Sequence, residues 1–448
     1  MSVQTRAVVI RGLLLLLASA SIPAWAVTTK VVTEVEVFAE PNQQTNIEPL
    51  VIEPSVAETE ALPSFVDGTS LVLKPRTYYL HRSRDDSQDS KAWALGGELA
   101  YKSGWLKQHL ALAASFYTSQ KLYGPEEYDG TQLLLPGQEP INVLGEFNLT
   151  WRFAEHHGVR IGRQRFDLPY MGSHDVRMIP NTFEAIAVGN TSTTGFAYMA
   201  GFVDKIKQKN SDKFIYMSEA AEVEGIDKGL AFAGARYKTE GGTLFGGLYQ
   251  RTMDVFDTFF TKVEHPLQLG ETIALKACLQ YTQQKGQADG PIGNHHRGDF
   301  ETSMLAGKLE LSQGPLTFHI AASTTDEEAS IFKPYNNAAN YLSVMLEDFD
   351  RAGEDALLFG LSYDFQRVGV GDLSMFTNVV DGNTPDSGIS ASPDETEYDF
   401  TVDYRIKEGP LDRVWFRVRG AFVDQEEDQG GEDFFDIRII VNYDFNLI

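Results

Sequence analysis

A chain of 448 residues with 63 Asp+Glu against 38 Lys+Arg carries a formal charge of −25, which argues against a nucleic-acid or anionic-lipid partner. Its one cysteine, Cys278, excludes an intramolecular disulfide and a cysteine-ligated metal cluster. No run of about eighteen apolar residues occurs, so no transmembrane helix is predicted, while an aromatic content of 11% suits the interface girdles of a membrane β-barrel.

The N-terminus reads as a secretory leader. Arg6 and Arg11 give a basic start, residues 12–18 are apolar, and Ala24, Trp25 and Ala26 place small residues where a signal peptidase reads. Cleavage is expected after Ala26, giving a signal peptide over 1–26 and a mature start at Val27. Loss of Arg6 and Arg11 then makes the mature chain still more acidic. Residues 27–65 carry Pro41, Pro49, Pro54 and Pro63 with frequent Glu, and read as an acidic, extended periplasmic tail.

Over residues 66–448 the dominant signal is period two. In one segment Ile273, Leu275, Ala277, Leu279 and Tyr281 share a face opposite Ala274, Lys276, Cys278, Gln280 and Thr282. The same split sets Tyr398, Phe400, Val402, Tyr404 and Ile406 against Asp399, Thr401, Asp403, Arg405 and Lys407. Successive strand side chains point to opposite sides, so each strand has a greasy and a polar face. Segments of about ten residues match tilted strands crossing hydrocarbon. A packed sandwich core would not accept the full charges on the polar face without partners.

Eighteen strands are predicted, near 70–82, 91–103, 107–119, 141–153, 158–166, 182–190, 195–203, 229–237, 243–252, 257–267, 272–284, 301–312, 315–324, 355–365, 372–381, 396–407, 413–424 and 434–446. Short connections at 154–158, 240–242, 268–271, 313–315 and 408–412 contrast with long ones at 120–140, 167–181, 204–228, 285–300, 325–354 and 382–395. That sorting predicts an all-β, membrane-spanning, up-and-down antiparallel barrel with short periplasmic turns and long extracellular loops. The last strand sets Ile437, Ile439, Val441, Tyr443, Phe445 and Leu447 on one face, but the chain ends one residue later, on Ile448.

From about residue 65 the chain resembles the OprD family of outer-membrane carboxylate channels. Four stretches carry the resemblance: residues 65–71 leading to Arg76, Tyr78 and Tyr79; residues 175–183; residues 348–354 followed by 360–365; and residues 403–411, 416–419 and 438–441. The resemblance implies a monomeric-type, 18-stranded channel of the Gram-negative outer membrane with a narrow eyelet for small solutes. It implies no enzyme activity and no cofactor. Expected partners are small solutes, outer-membrane lipid, lipopolysaccharide and the barrel-assembly machinery, with the chain a monomer or loose trimer.

The alternation sets Arg405, Lys407, Arg417, Arg419 and Arg438 on the lumen face of the last three strands. Five cations in such a file would pass a carboxylate along without one deep well; the alternative is neutralisation by Asp399, Asp403, Asp436 and Asp444. As members of a wet wall, Arg417 and Arg419 are expected to be dispensable to the fold. Arg177 reads either as an eyelet charge or as a loop anchor paired with Asp175 or Asp167. Arg76 is placed on the same pathway. Asp348 matches a family position that forms an acidic pocket opposite the basic ladder. The chain departs from the family at Leu346, where a tyrosine is usual, and at Asn378, where an arginine is common; both set the family's basic-amino-acid preference aside.

His295, His296 and Arg297 read as a solvated loop in preference to a metal site. No nucleophile, base and orienter group together. The expected function is passive uptake of small carboxylate-bearing solutes; the alternatives are a structural or adhesive barrel and, third, a barrel hydrolase.

Overall fold

The computed structural model describes residues 62–448, apart from 86, 191–194, 224, 271, 288–297, 370, 407, 408 and 410. The leader, most of the tail, the pair His295–His296 and Lys407 lie outside the described residues.

Among the described residues there are twenty-two strands, four of them two residues long, leaving eighteen long ones. In chain order these are β1 (Ser70–Arg84), β2 (Ser90–Lys102), β3 (Leu110–Tyr123), β4 (Ile141–Ala154), β5 (His157–Gln164), β6 (Thr182–Asn190), β7 (Gly195–Lys207), β8 (Leu230–Lys238), β9 (Leu244–Thr252), β10 (Phe256–Gln268), β11 (Ile273–Gly286), β12 (Glu301–Gln313), β13 (Leu316–Thr325), β14 (Asp355–Asp364), β15 (Leu373–Asn383), β16 (Glu395–Arg405), β17 (Trp415–Gln425) and β18 (Phe434–Asn442). Each pairs antiparallel with its chain neighbours, and β1 pairs with β18 from Arg76–Asn442 to Arg84–Phe434, which closes the cylinder. Closure leaves no unpaired sheet edge, the condition for strands to cross hydrocarbon.

The alternation predicted from sequence reappears as an inverted burial pattern. On β16 the buried side chains are Glu395, Glu397, Asp399, Thr401 and Asp403, while Tyr398, Phe400 and Tyr404 are exposed. On β17 Arg417 and Arg419 are buried and Phe416, Val418 and Phe422 are exposed. Exposed here means turned outward, toward where lipid would lie, and buried means turned into the lumen. Cys278 is on the inner face and shielded, as a lone thiol needs to be. At the tight connection after β12, Gly314 takes φ +57°, the left-handed region that glycine enters at little cost. The last predicted strand is interrupted: β18 stops at Asn442, and Phe445–Asn446 pairs separately with β1.

Two long connections cross the lumen instead of standing outside, and a third, residues 124–140, folds Leu133 and Leu134 onto the inner wall. Residues 165–181, after β5, send Tyr170 across the lumen, where its hydroxyl meets Thr282 of β11 at 2.7 Å. Residues 326–354, after β13, also enter, and the Tyr335 hydroxyl meets Thr252 of β9 at 2.8 Å. The two loops hold each other: Tyr170 N donates to Asn337 O at 2.9 Å, and Asn337 Nδ2 donates to Leu168 O at 2.6 Å. Their apolar residues, Phe166, Leu168, Tyr170, Ile331 and Tyr335, pack on inward Phe183, Phe232 and Phe260 of β6, β8 and β10. A second contact sets Tyr341, Leu342 and Phe349 on β11–β15. A third sets Leu133, Leu134 and Met178 on β1–β4 and β18. Among the described residues no side chain of β16 or β17 joins these apolar clusters. The loops therefore fill the lumen against the other walls, and the wall left polar is the arginine-bearing one.

Candidate functional site

The constriction is built on Arg76, midway along β1. Its Nε donates to Asn442 Oδ1 of β18 at 2.7 Å, and its guanidinium grips Asp175 at 2.6 and 3.2 Å and Arg177 O at 2.6 Å. Tyr78, two residues on and on the same face, donates to Val176 O at 3.1 Å. Together they hold the turn at 175–177 against the wall. Burial alone would raise the Asp175 carboxyl, but Arg76 overrides it and keeps it below the ordinary carboxylate range. Of the two readings of Arg177, the anchoring pair with Asp175 is made by Arg76 instead. Arg177 instead donates from Nε to Thr131 O at 3.0 Å and from Nη1 to Val176 O at 2.9 Å. Among the described residues no carboxylate forms an ion pair with it. Burial, and then Arg438, lower it to about 10.

The arginine wall stands beside this turn. Arg417 makes a two-pronged pair with Asp403 at 2.7 and 2.8 Å, and the Trp415 indole donates to the same carboxylate at 3.1 Å. Arg419 donates to Thr401 Oγ1 at 3.1 Å. Arg438 donates to Asp436 at 2.8 Å, and Arg82 reaches that carboxylate at 3.0 Å. Arg405 lies toward the short-turn end, its guanidinium 5.4 Å from the Trp415 ring centre. The expectation that Arg417 and Arg419 are loosely held in a wet wall needs correction. Arg417 and Asp403 have side chains only 7% and 5% exposed, so each neutralises a buried partner.

The inward loop 326–354 reaches this wall. Glu397 of β16 accepts Leu346 N at 2.9 Å and Glu347 N at 2.8 Å, and Arg438 Nη2 reaches Met345 O at 3.4 Å. The loop tip is thereby tied to the arginine wall through its own backbone. Asp348 pairs with Lys333 at 3.2 Å; Lys333 also binds Asp350. Burial lifts the Asp350 carboxyl to about 7 in spite of Lys333, against about 3.9 for a free aspartate. A carboxyl raised on folding contributes stability that is full below about pH 4 and lost as pH rises through about 7. Asp348, held low by Lys333 and Ser343 against burial, acts in the opposite sense and only in stronger acid. The loop is therefore anchored most tightly at about pH 4. Open-channel current noise is expected to grow from about pH 5 to about pH 8; noise that falls over that range contradicts this.

The constriction separates two cavities. One of about 450 Å³, toward the short turns, is lined by Lys74, Arg76, Arg165, Asp175 and Arg405 among others. One of about 530 Å³, toward the long loops, is lined by Lys209, Lys333, Asn336, Asp348 and Asp350 among others. A closed barrel narrowed by inward loops, with polar vestibules on both sides, is the form of a selective channel.

Residues 63–447 match the family described as outer membrane porin, OprD family. The chain belongs to the OprD family. Porin D of Pseudomonas aeruginosa is 22% identical over 432 residues, covering 88% of this chain and 94% of that protein. OccAB1 of Acinetobacter baumannii superposes with a TM-score of 0.76 at 18% identity, covering 88% of this chain and 100% of that one. OccK9 (OpdG) of P. aeruginosa gives 0.75 at 20% identity, covering 86% and 100%. OpdK of P. aeruginosa, in a crystal structure with vanillate, gives 0.73 at 22% identity, covering 85% and 100%. The protein is accordingly an outer-membrane porin.

Within this OprD-family barrel the structure brings together Arg76, Arg177, Arg417, Arg419 and Arg438, sets Arg405 at the inner mouth, and puts Asp348 in the outer vestibule. Asn378, at one departure from the family, donates to Asp399 at 3.2 and 3.3 Å and bonds His319 at 2.9 Å across the sheet. Sequence reading missed Glu397, Lys333 and the cluster of Lys209, His174 and Asn336. A signal for Lys209 was present: Lys205, Lys207 and Lys209 alternate, the last of them two residues past the end of β7.

Proposed function

We propose that the protein carries small, carboxylate-bearing organic solutes into the cell by passive diffusion. The observation behind this reading is Arg177. It sits in the turn that narrows the pore, its guanidinium bonded to carbonyl oxygens and not to a carboxylate. A guanidinium without a counter-charge is a pre-formed receptor for a carboxylate. Arg76, Arg405, Arg417, Arg419 and Arg438 extend the file to either side, and paired arginines still present N–H groups to a passing anion. Asp348, on the outer side, would orient solutes that also carry a donor. The vanillate in the OpdK structure supports the substrate class. On this reading the chain is inserted by the barrel-assembly machinery, sits against lipopolysaccharide in the outer leaflet, and works as a monomer or loose trimer.

Bilayer recordings under a salt gradient test it. The parent is expected to favour anions at the constriction, and Arg177→Gln to shift the zero-current potential toward cations. Benzoate flux relative to benzamide should fall about tenfold in that variant, the effect of losing one charge-assisted hydrogen bond. A parent that passes benzoate and benzamide alike would overturn the reading.

A further inference from the structure

Lys209 follows β7 by two residues and lies at a junction of three inward segments. Its backbone N–H donates to Asn181 Oδ1 at 2.7 Å, and Asn181 Nδ2 donates to Gly172 O at 3.0 Å, so the constriction loop fixes its position. Its Nζ donates to Asn336 Oδ1 at 2.7 Å, on the long inward loop, and lies 3.0 Å from His174 Nδ1 on the constriction loop, which is itself 3.1 Å from the same Asn336 Oδ1. For the ammonium to donate to Nδ1, the imidazole must be neutral with its proton on Nε2. Burial, and then the charge of Lys209, hold His174 down at about 3, which keeps it neutral.

An ammonium has three N–H groups; Asn336 takes one, and His174 in its Nε2–H tautomer takes a second. Among the described residues nothing accepts the third, and no carboxylate forms an ion pair with Lys209. Burial, and then Arg177, lower its pKa well below the usual lysine value. An arriving anion would offset the cost of a charge on Lys209 and favour its protonated form. Lys209 lines the outer cavity of about 530 Å³ with the amides of Gln132, Gln208, Asn210 and Asn336, the carboxylates of Glu222, Glu347, Asp348 and Asp350, and the cations of Lys333 and Arg351. Amides offer donors and acceptors and carboxylates offer acceptors, so this lining can hydrogen-bond the hydroxyl groups of a solute whose carboxylate meets the ammonium.

We propose that Lys209, braced by His174 and Asn336, is an anion-binding residue of the outer vestibule that receives the carboxylate of an entering solute before the constriction, with hydroxylated carboxylates of the sugar-acid class as its preferred ligands. The inference rests on the carboxylate reading above and adds to it a residue and an entry-side subsite. Positioning comes from the two loops, so the subsite exists only where both are folded in.

Gluconate and glucose form the test pair, alike in size and hydroxyl groups and differing in the carboxylate. In liposomes holding the full-length protein, Lys209→Gln is expected to lower the gluconate-to-glucose flux ratio about tenfold, as loss of one charge-assisted hydrogen bond would. Lys209→Arg, which keeps the charge, should hold the ratio within about threefold of the parent. A parent ratio near one would sink the carboxylate reading itself. A selective parent with an unchanged ratio in Lys209→Gln would overturn only the role of Lys209. Should the variants assemble poorly, the unmodified channel still decides. Gluconate added on the long-loop side should produce current blockades more often than gluconate added on the short-turn side, and equal frequencies from both sides would refute an outer subsite.

Discussion

Excising the inward loop between Thr325 and Asp355 is expected to raise single-channel conductance at least about twofold, because conduction through a water-filled pore scales with its open cross-section. The loop is a plug: Ile331, Tyr335, Tyr341, Leu342 and Phe349 all lie buried inside the barrel. A short glycine–serine link can replace it, since Thr325 N and Glu354 O are already hydrogen-bonded at 2.9 Å. The barrel should survive, because its ladder of backbone bonds runs through the strands and not through the loop. Selectivity should fall along with the gain in conductance, since Glu397 and Arg438 lose their backbone partners on Leu346, Glu347 and Met345. Unchanged conductance would mean that the ions pass by another route.

Arg417→Gln is expected to destabilise the barrel by about 3–5 kcal/mol, the usual cost of stranding one member of a buried ion pair. The stranded group is Asp403, which would keep only the Trp415 indole of its three nitrogen donors. Gel migration of the closed barrel on heating should show the transition at a lower temperature. The variant should also drift toward cation selectivity, since Asp403 becomes an uncompensated charge on the wall. Pairing it with Asp403→Asn should recover most of the stability, because removing both partners leaves no buried charge behind. If Arg417→Gln melts at the parent's temperature, water reaches the pair and the arginine is free to serve solutes alone.

The cylinder was legible because its grammar is local. In β16, Tyr398 to Arg405 could be assigned to two faces from the order of residues alone, and Arg417 with Arg419 to one face. What alternation cannot state is which partner a lumen side chain meets. Asp175 looked like a neighbour for Arg177, two residues away, yet it is gripped by Arg76, 99 residues earlier. Lys209 and Asn336 are 127 residues apart, and Tyr170 and Thr282 are 112 apart. These contacts depend on how two irregular loops enter a shared lumen, and irregular backbone has no period to read. The dry packing of Phe166 and Tyr170 was hidden for the same reason: apolar residues in a loop resemble any other until the wall they meet is known.

The seam between β1 and β18 has a bearing on biogenesis. Arg76 belongs to the first strand, binds Asn442 at the end of the last one, and through Asp175 and Arg177 O also carries the inward turn at 175–177. The two strands that close the cylinder are 366 residues apart at that contact, so the N-terminal one must wait for nearly the whole chain. Until it does, Arg76 has no Asn442 and the turn has an incomplete bracket. Filter and cylinder are thus finished in the same event, and a half-inserted chain would be an unselective leak that only the final zip-up seals.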